Sequence, residues 1–94
     1  MEFEYDPAKN EMNMDKHGID FENAKALWND PRALLIELGY KDEKRFALIA
    51  ELGESKKLWT AIFTMRSEKI RIISVRRARQ DEGERYEQEQ SEDS

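Results

Sequence analysis

Residues 58–78 read LWTAIFTMRSEKIRIISVRRA. Leu, Trp, Ala, Ile, Phe and Met fill 58–65 around Thr60 and Thr64, and Ile70, Ile72, Ile73 and Val75 follow a short polar link. Two runs rich in β-branched and aromatic residues predict a β-hairpin, with strands over 58–65 and 69–76 joined by Arg66, Ser67 and Glu68. No Asn-Gly sets the turn type, which leaves the register open. Isoleucine falls on both faces of the second strand, the pattern of a central strand. Arg71, Arg76, Arg77 and Arg79 lie in or just after it. A guanidinium in a core strand must reach water, a carboxylate or a phosphate.

The rest of the chain is read outward from this hairpin. Upstream, 45–52 alternates Phe46, Leu48 and Ala50 against Arg45, Ala47, Ile49 and Glu51, and 33–38 is a further strand, with turns at 39–43 and 53–57. Phe3 and Tyr5 alternate with polar residues and mark a short first strand. Asp6-Pro7 is an N-cap with proline at the first helical position, opening a helix over 7–16 whose apolar stripe is Ala8 and Met12. Lys16-His17-Gly18 closes it. Asp20 caps a second helix over 21–28, with Phe21, Ala24 and Trp28 at helical spacing. Downstream, 78–88 is a helix with Ala78 and Tyr86 as its apolar residues. The fold class expected is α+β: a small antiparallel sheet of about four strands plus the short N-terminal one, two helices before it and one after.

The 94 residues make one domain, expected over 1–87, with 88–94 as an acidic tail without fixed structure. Charged residues are 39% of the chain and the net charge is −5. That sum hides an asymmetry. From Asp81 onward there are seven acids and one base, whereas 66–79 holds six bases and one acid. A basic strand beside an acidic tail keeps an anionic partner open. Cysteine is absent, which removes disulfides and thiolate chemistry and fits a reducing cytosol. No apolar run reaches the length of a membrane span, and no signal peptide is expected before the first acidic residues.

His17 is the only histidine, and an imidazole suits general acid–base work near neutral pH. Its alternative role is to meet the last carbonyls of its helix. Arg71 and Arg76 are five apart, so a regular strand points them to opposite faces, and only a bulge or the strand end brings both to one site. They bind a phosphate in one reading and pair with carboxylates across the sheet in the other. Glu82 and Tyr86 share a helix face. Tyr86 is expected to pack on the sheet, with Glu82 paired to Arg79 or Arg85. No metal-ligand spacing and no phosphate-binding glycine loop is present, so no cofactor is expected.

Taken together, these residues resemble the BrnT family of type II toxins. The matching elements are Phe3-x-Tyr5-Asp6-Pro7, then Asn13-x-x-Lys16-His17-Gly18-Ile19-x-Phe21-Glu22-x-Ala24, and Asp30-Pro31. Arg45-Phe46, Gly53 and Thr64-x-Arg66 follow, then Arg71-Ile72-Ile73-Ser74-Val75-Arg76-Arg77-Ala78, with Glu82 and Tyr86 at the family's spacing. Gly83 stands where the family usually has a basic residue. The resemblance implies a RelE-like fold and an endoribonuclease that works without metal and inhibits translation. It implies a ribbon-helix-helix antitoxin of the BrnA kind, through which the pair binds operator DNA and represses its own operon. Carried over by position, His17, Lys16, Arg45, Arg71 and Arg76 are the catalytic candidates, and Arg66, Arg77 and Thr64 the substrate-binding ones. A second class of function stays open: a non-catalytic module that uses the same basic sheet to bind an antitoxin or nucleic acid. Convergence of His17, Arg45 and Arg71 on one concave surface would favour the enzyme, and their scatter the binding module.

Overall fold

A computed structural model describes residues 1–39 and 42–92. The hairpin at its centre is β4 (Lys57–Arg66) and β5 (Lys69–Arg77). The link is tighter than expected, because Arg66 and Lys69 pair and only Ser67 and Glu68 turn the chain. Both turn residues have positive φ, 49° and 68°, which suits the twist of a two-residue hairpin but is strained for side chains other than Gly or Asn. β3 (Arg45–Leu52) pairs antiparallel with β4, and β2 (Leu34–Leu38) with β3. Tyr40 and Lys41, in the expected turn over 39–43, lie outside the described residues.

The short β1 (Phe3–Glu4) lies on the other edge, giving the order β1-β5-β4-β3-β2. It runs parallel to β5, so the sheet is mixed rather than wholly antiparallel. Parallel neighbours need a long connection, and the whole of 5–68 supplies one.

Cross-strand register sorts the side chains. Phe46, Leu48 and Ala50 lie opposite Phe63, Ala61 and Trp59, and Ile72 and Val75 continue the rows on β5. These pack in one cluster with Phe21, Ala24 and Leu27. Phe21 and Ala24 belong to α2 (Phe21–Ala24), and Leu27 to the 3-10 turn Lys25–Asn29 that follows. The single helix expected over 21–28 is therefore two pieces. The tighter 3-10 pitch brings Leu27 fully into the core and leaves Trp28 half-buried, edge-on to Phe3 and Phe63.

α1 (Pro7–His17) is capped as read, with the Asp6 carboxylate accepting from the Ala8 N–H and Gly18 leaving at φ 75°. Its anchoring differs from the sequence expectation. Ala8 is exposed, Met12 is 67% exposed, and the one buried residue of the helix is Asn13. The Asn13 amide accepts from the Val75 N–H and donates to the Val75 and Ile19 carbonyls, each at 2.9 Å. Asn10 accepts from the Phe21 N–H at 2.7 Å. α1 lies against the edge of β5 beyond the reach of β1, where backbone groups need partners, and amides satisfy them where an apolar stripe could not.

α3 (Gln80–Glu92) crosses the opposite face of the sheet. It begins two residues later than expected because the Ala78 N–H still bonds the Leu58 carbonyl, and it continues past residue 88. Tyr86, nearly fully buried, donates to Asp30 at 2.8 Å and pins the helix down. Burial raises the Asp30 carboxyl, but the N–H groups of Glu51 and Arg32 and the Tyr86 hydroxyl outweigh it and hold the group ionised below its ordinary range.

Candidate active site

The register between β4 and β5 slips once. Ile62 faces Ser74, but Phe63 faces Ile72, so Ile73 has no partner and forms a bulge. One extra residue reverses the alternation that follows. Arg71 lies opposite Thr64 and Arg76 opposite Thr60, two positions on the same face of β4. A bulge was the condition for Arg71 and Arg76 to serve one site; it is present and turns both to one face, but Arg76 alone of the two lines a cleft with α1.

Arg76 then faces a cleft of about 490 Å³ between α1 and the edge of β5. α1 contributes Lys9, Met12, Lys16 and His17 around Asn13, β5 contributes Ile73, Ser74 and Arg76, and Arg79 follows the strand. Positions 9, 12, 13 and 16 are one helical stripe, so the α1 wall was present in the spacing once polar residues are counted. Among the described residues, no acid lines the cleft. Among the described residues, Lys9, Lys16, the Arg79 guanidinium and the His17 ring make no ion pair or hydrogen bond. Three cationic side chains without a carboxylate partner and an imidazole therefore border a concave surface that attracts anions, with Arg76 beside them.

Arg76 differs from the other cations. Its Nη1 and Nη2 donate to the Glu82 carboxylate at 2.7 and 2.9 Å. Glu82 also accepts from Thr60 Oγ1 at 3.0 Å and from the Arg79 N–H at 2.8 Å. The last bond is the backward half of a capping box at the start of α3. Arg76 first, and these donors with it, hold the Glu82 carboxyl down at about 2. The same pair keeps the Arg76 guanidinium charged above its usual range. Glu82 thus pairs with Arg76, in place of the expected Arg79 or Arg85 side chains, and locks it in one rotamer behind the cleft.

The remaining candidates lie elsewhere. Arg45, Thr64 and Arg71 form one cross-strand row at the hairpin-turn end of the sheet. Arg45 Nε and Arg66 Nη2 flank the Glu43 carboxylate at 3.5 and 3.6 Å. Arg71 Nη1 lies 3.3 Å from Glu4, the cross-sheet pairing that competed with phosphate binding in the sequence. Thr64 is buried, and its hydroxyl donates to the Lys44 carbonyl at 2.6 Å. Arg77 points to the core side, 5.5 Å over the Trp59 ring, with Nε donating to the Leu58 carbonyl. The cleft brings together Lys16, His17 and Arg76, and does not include Arg45, Arg66, Arg71, Arg77 or Thr64. His17, Arg45 and Arg71 therefore do not converge on one concave surface, and on that criterion the binding module gains. Lys9, Met12, Arg79 and Glu82 join the site without having been candidates. Lys9 and Met12 carried a helical-spacing signal. Arg79 had one only in the density of charge after β5, whereas Glu82 stood at the family's spacing with Tyr86.

Among the described residues, no group of three or more His, Asp or Glu is placed to hold a metal ion. The arrangement can bind a phosphodiester with fixed cations and present an imidazole to it. Among the described residues, no helix is long and apolar enough to cross a membrane.

Comparison with known proteins gives one family. Residues 5–82 match the family described as "Ribonuclease toxin, BrnT, of type II toxin-antitoxin system". No curated protein matches the chain.

Proposed function

The chain belongs to the BrnT family of ribonuclease toxins of type II toxin–antitoxin systems, and from that premise we propose that it cleaves RNA in the cleft between α1 and β5 without a metal ion. The observation that carries the proposal is the meeting of His17, Lys16 and Arg76 on one cleft with no lining acid among the described residues. RNA brings its own nucleophile, the 2′-hydroxyl. The protein must move two protons and stabilise charge on phosphorus. The 2′-oxygen bonds to phosphorus as the P–O5′ bond breaks, leaving a 2′,3′-cyclic phosphate; the His17 imidazole takes the proton of the 2′-hydroxyl or delivers one to the 5′-oxygen, and water carries the other proton. Lys16, Lys9 and Arg79 hold the phosphate. Arg76, fixed by Glu82, sets a positive charge where the transition state gains negative charge. Arg45, Arg66 and Arg71 do not line the cleft; they pair with Glu43 and Glu4 and stand outside the reaction.

The biological setting proposed is inhibition of translation in the cytoplasm, with neutralisation by a ribbon-helix-helix antitoxin of the BrnA kind that covers the basic cleft. Through that antitoxin the pair binds operator DNA and represses its own operon. The RelE-like character of the fold is part of the same reading.

The test is cleavage of one RNA by purified protein in EDTA, after checking that all variants melt alike. His17→Ala is expected to lose roughly two to four orders of magnitude in rate. Arg76→Ala is expected to lose on the order of a hundredfold, with part of the rate kept by Arg76→Lys. Arg71→Ala is expected to stay within about tenfold of wild type, since a role confined to ion pairing at the surface is worth little. Full activity of His17→Ala removes the imidazole from the mechanism. A wild type that cuts only with added metal overturns the metal-free chemistry. A wild type that binds its antitoxin and cuts nothing replaces the enzyme with the binding module.

A further inference from the structure

We infer that Met12 and Ile73 form a nucleobase subsite inside the cleft, an inference that rests on the ribonuclease reading and gives its substrate an orientation. Neither side chain belongs to the buried core. Met12 is a large apolar side chain left 67% exposed on the α1 stripe that faces β5. Ile73 is the residue that the bulge removes from the pairing with β4. It is half-buried and outside the buried core to which Ile72 and Val75 belong. One lines the cleft from the helix and the other from the strand. They are the apolar side chains of a cleft whose remaining lining is cationic or polar.

The chemistry of the occupant follows from that mixture. A free phosphate or sulfate satisfies the cations and gains nothing from Met12 and Ile73. An apolar peptide gains from those two and leaves Lys9, Lys16 and Arg79 without counter-charges. A nucleotide unit within a single strand carries a phosphate and a flat aromatic ring a few ångströms apart, and so satisfies both. A thioether is polarizable and unbranched, and it packs on ring faces and edges without demanding one shape. The volume of about 490 Å³ lies within the range of small-ligand sites. Asn13 cannot read the base, because its amide is committed to Val75 and Ile19. The Ser74 hydroxyl can, since it has no hydrogen-bond partner among the described residues and lines the same cleft. The ring must be unpaired to enter, so the substrate is single-stranded at this position.

The experiment measures binding separately from cleavage. Fluorescence anisotropy follows an uncleavable, 2′-O-methylated single-stranded RNA oligomer and the same oligomer made abasic throughout. The proteins are wild type, Met12→Ala, Ile73→Ala, the double variant, and Met14→Ala as a control on the same helix outside the cleft. Wild type is expected to hold the intact oligomer about tenfold more tightly than the abasic one, near the lower range for packing one base on a protein. The double variant is expected to lose that factor on the intact oligomer and to bind the abasic one within twofold of wild type, with Met14→Ala unchanged. Equal affinity of wild type for both oligomers overturns the subsite. So does an equal loss on both in the double variant, which makes the two residues supports of the fold. Loss of antitoxin binding with RNA affinity intact assigns the apolar pair to the partner and also overturns it. Base-dependent binding without cleavage in the separate assay removes the ribonuclease reading alone. Cleavage without base dependence removes the subsite alone.

Discussion

Replacing Glu82 by Gln isolates one charge with its neighbours left in place. The carboxylate accepts from Arg76 Nη1 and Nη2, from Thr60 and from the Arg79 N–H, and its side chain is 15% exposed. Glu82→Gln keeps the shape, removes the charge and turns an N–H donor toward the guanidinium's own donors. The carboxyl stands at about 2 in the folded chain against an ordinary 4.5. Each pKa unit corresponds to about 1.4 kcal/mol, so the native interactions of the ionised form contribute on the order of 3 kcal/mol. The folded pKa is the lower one, so this contribution is complete above pH 4.5 and is lost as pH falls through about 2. Roughly half of it should remain at pH 3. Urea titrations followed by the fluorescence of Trp28 and Trp59 would measure it. Glu82→Gln should be about 2–3 kcal/mol less stable at pH 7, and the gap to wild type should halve by pH 3. In an Arg76→Ala background the substitution should cost only about 1 kcal/mol, the worth of the bonds to Thr60 and Arg79. Equal stability of the two proteins at pH 7, or a gap that does not change between pH 6 and pH 3, would refute the account of Glu82 as the group that fixes Arg76.

Two further substitutions test the scaffold around the site. A Cβ added at Gly83 would meet Leu58 Cδ1 at 3.7 Å, an ordinary contact, so Gly83→Ala should raise stability by about 1 kcal/mol through helix propensity, read as a higher midpoint in the same titration; a lower midpoint would mean that α3 needs flexibility at this position. Replacing Ser67-Glu68 by Asn-Gly should also stabilise, by about 1 kcal/mol, because both residues sit at positive φ, and an unchanged or lower midpoint would show that the turn carries no strain.

Local chemistry settled much of this fold. The residues of β3, the two strands of the hairpin and the caps at Asp6, Gly18 and Asp20 follow from alternation, β-branching and side chains that bond the nearest backbone. The motif residues Lys16, His17 and Arg76 were legible as candidates, and the family with them. Tertiary structure decided which candidates meet. The Ile73 bulge turns Arg76 to the face of Arg71, and no propensity in IRIISVRR marks where one strand will gain a residue on its neighbour. Arg76 is then claimed by α3 through Glu82 and Arg71 by β1 through Glu4, partners 6 and 67 residues away. α1 was misread at Ala8 and Met12 because hydrophobic periodicity registers only apolar burial. This helix closes a sheet edge, where the unmet groups are backbone N–H and C=O, and Asn13 meets them. With the amide buried, Met12 is left free to face the cleft, and that placement exists only when helix and strand edge are brought together.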